Sequence, residues 1–262
     1  MSIAERTAPL TLEVRNEKWP LKAPFRITGH TFVELDIVVV SVGCRGCIGR
    51  GEAAGVYYRN ESVATMTRQI EAVRSTIERG VDRYQLQQVL PMGGARNAVD
   101  CALWDLEAQM NRTTAWKLAG LNPPRPLTTT FTLGADDPGA MAHGAANLVG
   151  AQAIKLKLTG EPVDAQRVRK VRAVRPDVWL AVDANQGFTR GSLAELMPVL
   201  VEARVGMIEQ PFPIGREAEL EGLRSPIPIA ADESAQDTRD LAGLVGRFDV
   251  VNIKLDKSGG LT

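Results

Sequence analysis

Residues 153–183 read AIKLKLTGEPVDAQRVRKVRAVRPDVWLAVD. A short apolar run, Ala153–Leu158, precedes an amphipathic segment, Val163–Val174, and a second apolar run ends at Asp183. Strand, helix, strand in that order implies parallel strands joined by a crossover helix. The apolar runs recur at Leu127–Leu133, Val205–Glu209, Ile227–Ala231 and Val250–Leu255, with another amphipathic segment at Ser192–Ala203. Strands that are apolar throughout fit a sheet covered on both faces. An α/β barrel is the simplest host, and a doubly wound open sheet is the alternative.

Polar residues stand at the end of five successive runs: Lys157, Asp183, Glu209, Asp232 and Lys254, spaced 26, 26, 23 and 22 residues apart. Each interval is one strand-plus-helix unit, so all five fall at the carboxyl ends of their strands, the face of a parallel barrel where active sites lie. A single Asp after a strand is ordinarily a helix cap or a turn residue. Five in register, ordered lysine, three carboxylates, lysine, do not read as caps. Three converging carboxylates repel one another unless a cation lies between them. Oxygen-only ligands select a hard ion, Mg²⁺ or alternatively Mn²⁺. Such an ion can bind a substrate carboxylate and stabilise the charge that develops when the adjacent α-proton leaves. Lys157 precedes the three ligand strands and Lys254 follows them, so the two amines are expected to flank the ion, one as base and one as acid. Lys155 shares a strand face with Lys157. The ammonium pair is expected to lower one lysine pKa and so assist a neutral base.

The upstream half reads differently. Phe32–Val42 is a strand rich in β-branched residues that turns at Gly43, and residues 47–54 read as its return. Residues 61–80 carry helical periodicity to Gly80, and residues 94–111 form a second helix. The Pro-rich stretch Asn122–Pro126 is the linker candidate, which gives domains at 1–125 and 126–262. The lone Cys44-x-x-Cys47 reads as part of a Gly-rich hairpin rather than half a zinc site. Gly134–Asp137 reads as a turn starting a helix.

Bulk properties narrow the function classes. A formal net charge of zero gives no electrostatic support for binding nucleic acid or an anionic membrane. No apolar run approaches the roughly 18 residues of a membrane span. The start, residues 1–6, is unlike a signal peptide, and three cysteines suit a reducing compartment, so a cytoplasmic location is expected. The partner these features leave is a small molecule, and a homo-oligomer is compatible with them.

Five strings carry a resemblance: Lys155-Leu156-Lys157, Val182-Asp183-Ala184-Asn185, Ile208-Glu209-Gln210-Pro211, Ala231-Asp232-Glu233-Ser234 and the run from Asn252 to Leu261. Together they resemble the enolase superfamily, muconate-lactonising subgroup, and within it the bacterial L-Ala-D/L-Glu (dipeptide) epimerases. Trp19-Pro20-Leu21, Pro24-Phe25 and the helix from Gly94 to Leu106 add to the likeness. The resemblance implies an N-terminal α+β capping domain over a modified TIM-like (β/α) barrel. It implies a lysine base with a metal that stabilises an enediolate, and two-base 1,1-proton transfer on a dipeptide from murein recycling. By position, Asp183, Glu209 and Asp232 would be the Mg²⁺ ligands and Lys157 and Lys254 the bases. Lys155 would tune Lys157, and Asn185 and Glu233 would support the ligands. Lys257 is the competitor for Lys254. Specificity would come from residues 24–32, with Arg26 (His30 being the other cation there), and from residues 56–62, with Tyr58.

The family pattern continues beyond Thr262 with further strands and an Asp-x-Asp segment that holds a dipeptide ammonium group. The chain is therefore expected to be C-terminally truncated after about its sixth barrel strand, with poor stability and weak activity. Two other readings stand beside the epimerase: an o-succinylbenzoate synthase or muconate cycloisomerase using the same lysines and metal, and a non-catalytic remnant.

Overall fold

The computed structural model of the protein describes residues 9–27 and 30–262; the 1–6 start, and residues 28 and 29 of the expected 24–32 loop, lie outside the described residues. The chain divides into two compact units: one holds the chain up to Pro20 with Glu34–Arg125 and Lys254–Thr262, the other Leu21–Val33 with Pro126–Ile253.

The first unit is built on three strands, β1 (Thr11–Ile27), β2 (His30–Cys44) and β3 (Cys47–Ala53), in the order β1-β2-β3. In β2 the alternate residues Val38, Val40, Val42 and Cys44 are buried, the period-two pattern of a strand with one face on a core. Cys44 pairs with Cys47 across a two-residue turn in which Arg45 and Gly46 have φ of 50° and 80°, so the C-x-x-C brackets a tight hairpin. The sequence reading did not foresee β1. It is polar and carries Pro20 and Pro24, which a strand tolerates only at a sheet edge, where β1 lies.

Five helices follow: α1 (Val63–Ala72), α2 (Arg74–Glu78), α3 (Arg83–Val89), α4 (Gly94–Met110) and α5 (Ala115–Leu118). The single helix expected over 61–80 is two. Ser62 and Thr65 cap the first reciprocally, and it ends at Val73, whose N–H tightens onto Ile70 O at 3.1 Å. The expected 56–62 loop holds a 3₁₀ turn, Tyr57–Arg59. Its Glu61 carboxylate accepts from Val56 N at 2.7 Å and from Gly94 N at 3.2 Å, supplying the anion that the uncapped N-terminus of α4 favours.

Helix α4 packs directly on β3 because Gly49 and Gly51 have no side chains. A Cβ at Gly49 would lie 2.1 Å from Ala102 O, and one at Gly51 2.1 Å from Ala98 O. Backbone cannot yield as a flexible side chain can, so these glycines set the helix–sheet distance.

The second unit is a six-stranded parallel sheet in the order β4-β5-β6-β7-β8-β9. The strands are β4 (Thr130–Leu133), β5 (Ala153–Lys157), β6 (Trp179–Asp183), β7 (Val205–Glu209), β8 (Ile229–Ala231) and β9 (Val250–Val251). Helices α6 (Pro138–Asn147), α7 (Asp164–Val174) and α8 (Arg190–Glu202) connect the first four, and the short α9 (Leu241–Leu244) leads to β9. Asp137 caps α6 through Gly139 N and Ala140 N, so the turn at Gly134–Asp137 does start a helix. Sequential order without reversal is the winding of a barrel; a doubly wound sheet reverses at a switch point, so that alternative falls.

Alternate strand residues Ile154, Leu156, Leu180, Val182 and Ile208 pack with Val168 and Val171 of α7 and Leu193 and Leu200 of α8 in one apolar core. Strand period two then sends Lys155, Lys157, Asp183 and Glu209 to the other face. The last expected strand, Val250–Leu255, is only two residues long. Leu255 instead opens a helical turn, α10 (Leu255–Ser258), ended by Gly259 at φ 79°. No helix among the described residues is long and apolar enough to cross a membrane.

The helix–sheet contact makes a prediction. Gly51→Ala should destabilise the chain by about 1–3 kcal/mol by overpacking, read as a lower urea midpoint at an unchanged m-value. An unaltered midpoint would show that α4 can move away from β3 freely.

Candidate active site

Register brings the polar strand ends together. Lys157 pairs with Asp183, and Asp183 with Glu209, each as the last residue of its strand. Ala230 is the partner of Glu209, so Asp232, two residues on, points to the same face from just beyond β8. One carboxylate oxygen from each of Asp183, Glu209 and Asp232 lies within 4.8 Å of the others, and all three residues are at most 1% exposed.

Lys155 Nζ donates to Glu209 Oε2 at 2.8 Å and lies 3.3 Å from Asp183 Oδ2, to which Lys157 Nζ donates at 2.5 Å. The two ammonium groups balance two of three buried negative charges. Lys155 is raised above its ordinary pKa, not lowered: burial depresses it, but the Asp183 and Glu209 carboxylates together prevail.

Asn185 and Glu233 are hydrogen-bonded beside the triad. Asn185 N donates to Asp183 Oδ1 at 2.9 Å, and Asn185 Nδ2 to Glu233 Oε1 at 3.2 Å. Asn185 Oδ1 and Glu233 Oε2 are buried without a hydrogen-bond partner. Burial first, then the charges of Asp232 and Asp183, pushes the Glu233 carboxyl up to about 7.

Two residues quoted within motifs prove to be structural to the site. Gln210, 1% exposed and held at φ 37°, accepts from Asp232 N at 2.9 Å and Ser234 N at 3.0 Å. It donates to Phe212 O at 2.9 Å and Ser234 Oγ at 2.8 Å. One amide thereby shapes the loop that presents Asp232. Asn252 Nδ2 donates to Glu209 Oε1 at 2.8 Å. Both amides directly follow a strand, Gln210 after β7 and Asn252 after β9.

The remaining candidates have contacts of their own. Arg26, in the second unit, pairs with Asp136 at 3.0 Å with both side chains about half exposed. Tyr58, in the first unit, packs edge-on against Tyr57 with centroids 5.2 Å apart. Lys254 is exposed at the N-cap of α10, three residues past the end of β9, whereas its competitor Lys257 is 2% exposed. Both belong to the first unit.

An oxygen-only donor set, buried and converged to this degree, fits a hard divalent cation. Asp183, Glu209 and Asp232 would hold it.

Comparison with known proteins agrees. Residues 10–120 match the Mandelate racemase / muconate lactonizing enzyme N-terminal domain, and residues 140–262 the Enolase C-terminal domain-like family. The L-Ala-D/L-Glu epimerase of Escherichia coli (strain K12) is 40% identical over 254 residues, 96% of this chain and 79% of that protein. The chain belongs to the enolase superfamily, in the mandelate racemase / muconate lactonizing enzyme subgroup.

Solved structures of this superfamily align closely. An enolase family member from Agrobacterium tumefaciens, with homology to dipeptide epimerases and with bound sodium and L-Ala-L-Glu, is 39% identical with a TM-score of 0.92. The alignment covers 97% of this chain and 77% of that one. The dipeptide epimerase of Methylococcus capsulatus, complexed with Mg and L-Arg-D-Lys, is 30% identical with a TM-score of 0.90, at 97% and 77% coverage.

If the triad is an ion site, Mg²⁺ at a hundredfold excess over its Kd should stabilise the chain by about 2.7 kcal/mol, seen as a rise in thermal midpoint. Glu209→Gln should abolish that rise. An equal rise in the variant would place the ion elsewhere.

Proposed function

We propose that this chain is a metal-dependent epimerase of L-Ala-D/L-Glu-type dipeptides, working by two-base 1,1-proton transfer. The observation that carries the reading is the buried triad of Asp183, Glu209 and Asp232 with the Lys155–Lys157 pair beside it on the neighbouring strand. When bound, a divalent cation would supply a site for the substrate carboxylate and offset the charge that develops there as the α-proton leaves.

Lys157 takes or returns the α-proton on one face. Its Nζ donates to Asp183 Oδ2 at 2.5 Å, which orients the amine beside the triad. Lys155 counterbalances Glu209 and Asp183. Lys254 serves the opposite face. Support for its role comes from the Asn252-Ile253-Lys254 string and its place after the last ligand strand. The dipeptide class is supported by the similarity to the epimerases above. A supply of such dipeptides from murein breakdown in the cytoplasm fits this reading.

Arg26 is the candidate partner for a substrate Glu side chain. An exposed ion pair such as Arg26–Asp136 is worth about 0–1 kcal/mol, so a substrate carboxylate could compete with Asp136 for the guanidinium.

Incubation of L-Ala-L-Glu in D₂O with Mg²⁺ tests the proposal. Inversion at the Glu α-carbon with deuterium incorporated there is expected, and Lys157→Met should slow it by about 10²-fold or more. Inversion without deuterium, or inversion that survives in that variant, would refute the two-base assignment. Arg26→Ala should raise KM for Ala-Glu by up to about fivefold while leaving an Ala-hydrophobic dipeptide unchanged. Equal effects on both substrates would remove Arg26 from specificity.

A further inference from the structure

Residues 254–262 follow directly on the last strand of the sheet, yet their contacts place them in the same compact unit as α4. One polar face of α4 holds them. Arg96 donates from Nη2 to Ser258 O at 2.7 Å and from Nε to Gly259 O at 3.1 Å. Asn97 Nδ2 donates to Asp256 Oδ1 at 2.6 Å. Asp100 Oδ2 accepts from Thr262 N, and Trp104 Nε1 donates to Thr262 Oγ1, both at 3.0 Å. Residues 96, 100 and 104 recur at helical spacing, while Ala95, Ala98, Val99 and Ala102 face the core.

The segment lies close against the two side chains. Gly259 and Gly260 have φ of 79° and 110°, and a Cβ on either would come within 2.4 Å of Arg96 Nε or Asp100 Oδ2. The held element is α10, only four residues long, and Lys254 is its N-cap. A helix that short has no stability of its own, because nucleation is unfavourable and few bonds repay it. Its two ends are fixed separately from α4: Arg96 satisfies its final carbonyls, and Asn97 holds its first turn through Asp256. Asp256 also accepts from the backbone N–H groups of Ala54 and Gly55.

The geometry points to Arg96 and Asn97 as positioning residues for Lys254: the polar face of α4 fixes the backbone of the segment that carries it. This rests on the proton-transfer role given to Lys254 above. The consequence is stereochemical. In a two-base reaction each lysine exchanges the α-proton of one epimer only, so loosening the segment should impair one direction of abstraction.

The test measures α-deuterium uptake from L-Ala-L-Glu and L-Ala-D-Glu separately. Lys157→Met and Lys254→Met first assign each epimer to its lysine. Asn97→Ala and Arg96→Lys should then slow exchange of the Lys254 epimer by about tenfold, the loss of one charge-assisted hydrogen bond, with the other epimer within about twofold. A parallel fall for both epimers would mean a general loss of structure and overturn the inference. Amide hydrogen exchange gives a readout independent of activity: faster exchange in residues 255–262, with residues 205–209 unchanged, is expected in the same variants. Unchanged protection of 255–262 would equally overturn it. If the wild-type chain exchanged neither epimer, the epimerase reading would fail, and the amide measurement would still decide whether α4 holds the segment.

Discussion

Mutual repulsion among three buried carboxylates is the constraint around which the second unit is organised. Asp183, Glu209 and Asp232 are almost fully removed from water, where isolated charges are strongly disfavoured. The fold places them together by strand register and answers with cations. Lys155 and Lys157 neutralise two of the three charges through direct ion pairs. One oxygen from each of the three carboxylates converges within 4.8 Å of the others, the arrangement a divalent ion would need. A buried ion pair is poor evidence of stability by itself, since desolvation offsets most of its attraction. Its presence on the face opposite an intact apolar core therefore speaks for chemistry.

That separation of faces follows from strand period two. Leu156 and Val182 point to the helices, and Lys157 and Asp183, one residue further, point away. Stability and reactivity thus occupy opposite faces of the same five-residue strands. The amide of Gln210 connects neighbouring strand ends by bonding the backbone that presents Asp232. Its left-handed backbone is a strained conformation for a residue with a side chain, and such strain persists only where surrounding bonds hold it.

The parallel sheet and its carboxylates were legible because apolar runs and strand-end spacing are local, periodic signals. Asp183 and Glu209 stand at the strand ends where their interval placed them. Other features were hidden for physical reasons. Strand β1 is held by pairing at an edge, so its polar, proline-containing sequence carries no apolar alternation. The short β9 and α10 could not be separated in an apolar string, since Ile253 and Leu255 suit either; Gly259 and tertiary bonds from α4 decide for the helix. The direction of the Lys155 shift depended on two acids 28 and 54 residues away in sequence and about 3 Å away in space.

The most direct test of the central claim is a crystal structure of the chain grown with Mn²⁺, with the ion located by anomalous scattering. The account predicts one strong peak within coordination distance of Asp183, Glu209 and Asp232 together, with Lys155 and Lys157 displaced from the oxygens it takes. A peak at another position, or none while the lysine–carboxylate pairs remain intact, would contradict it.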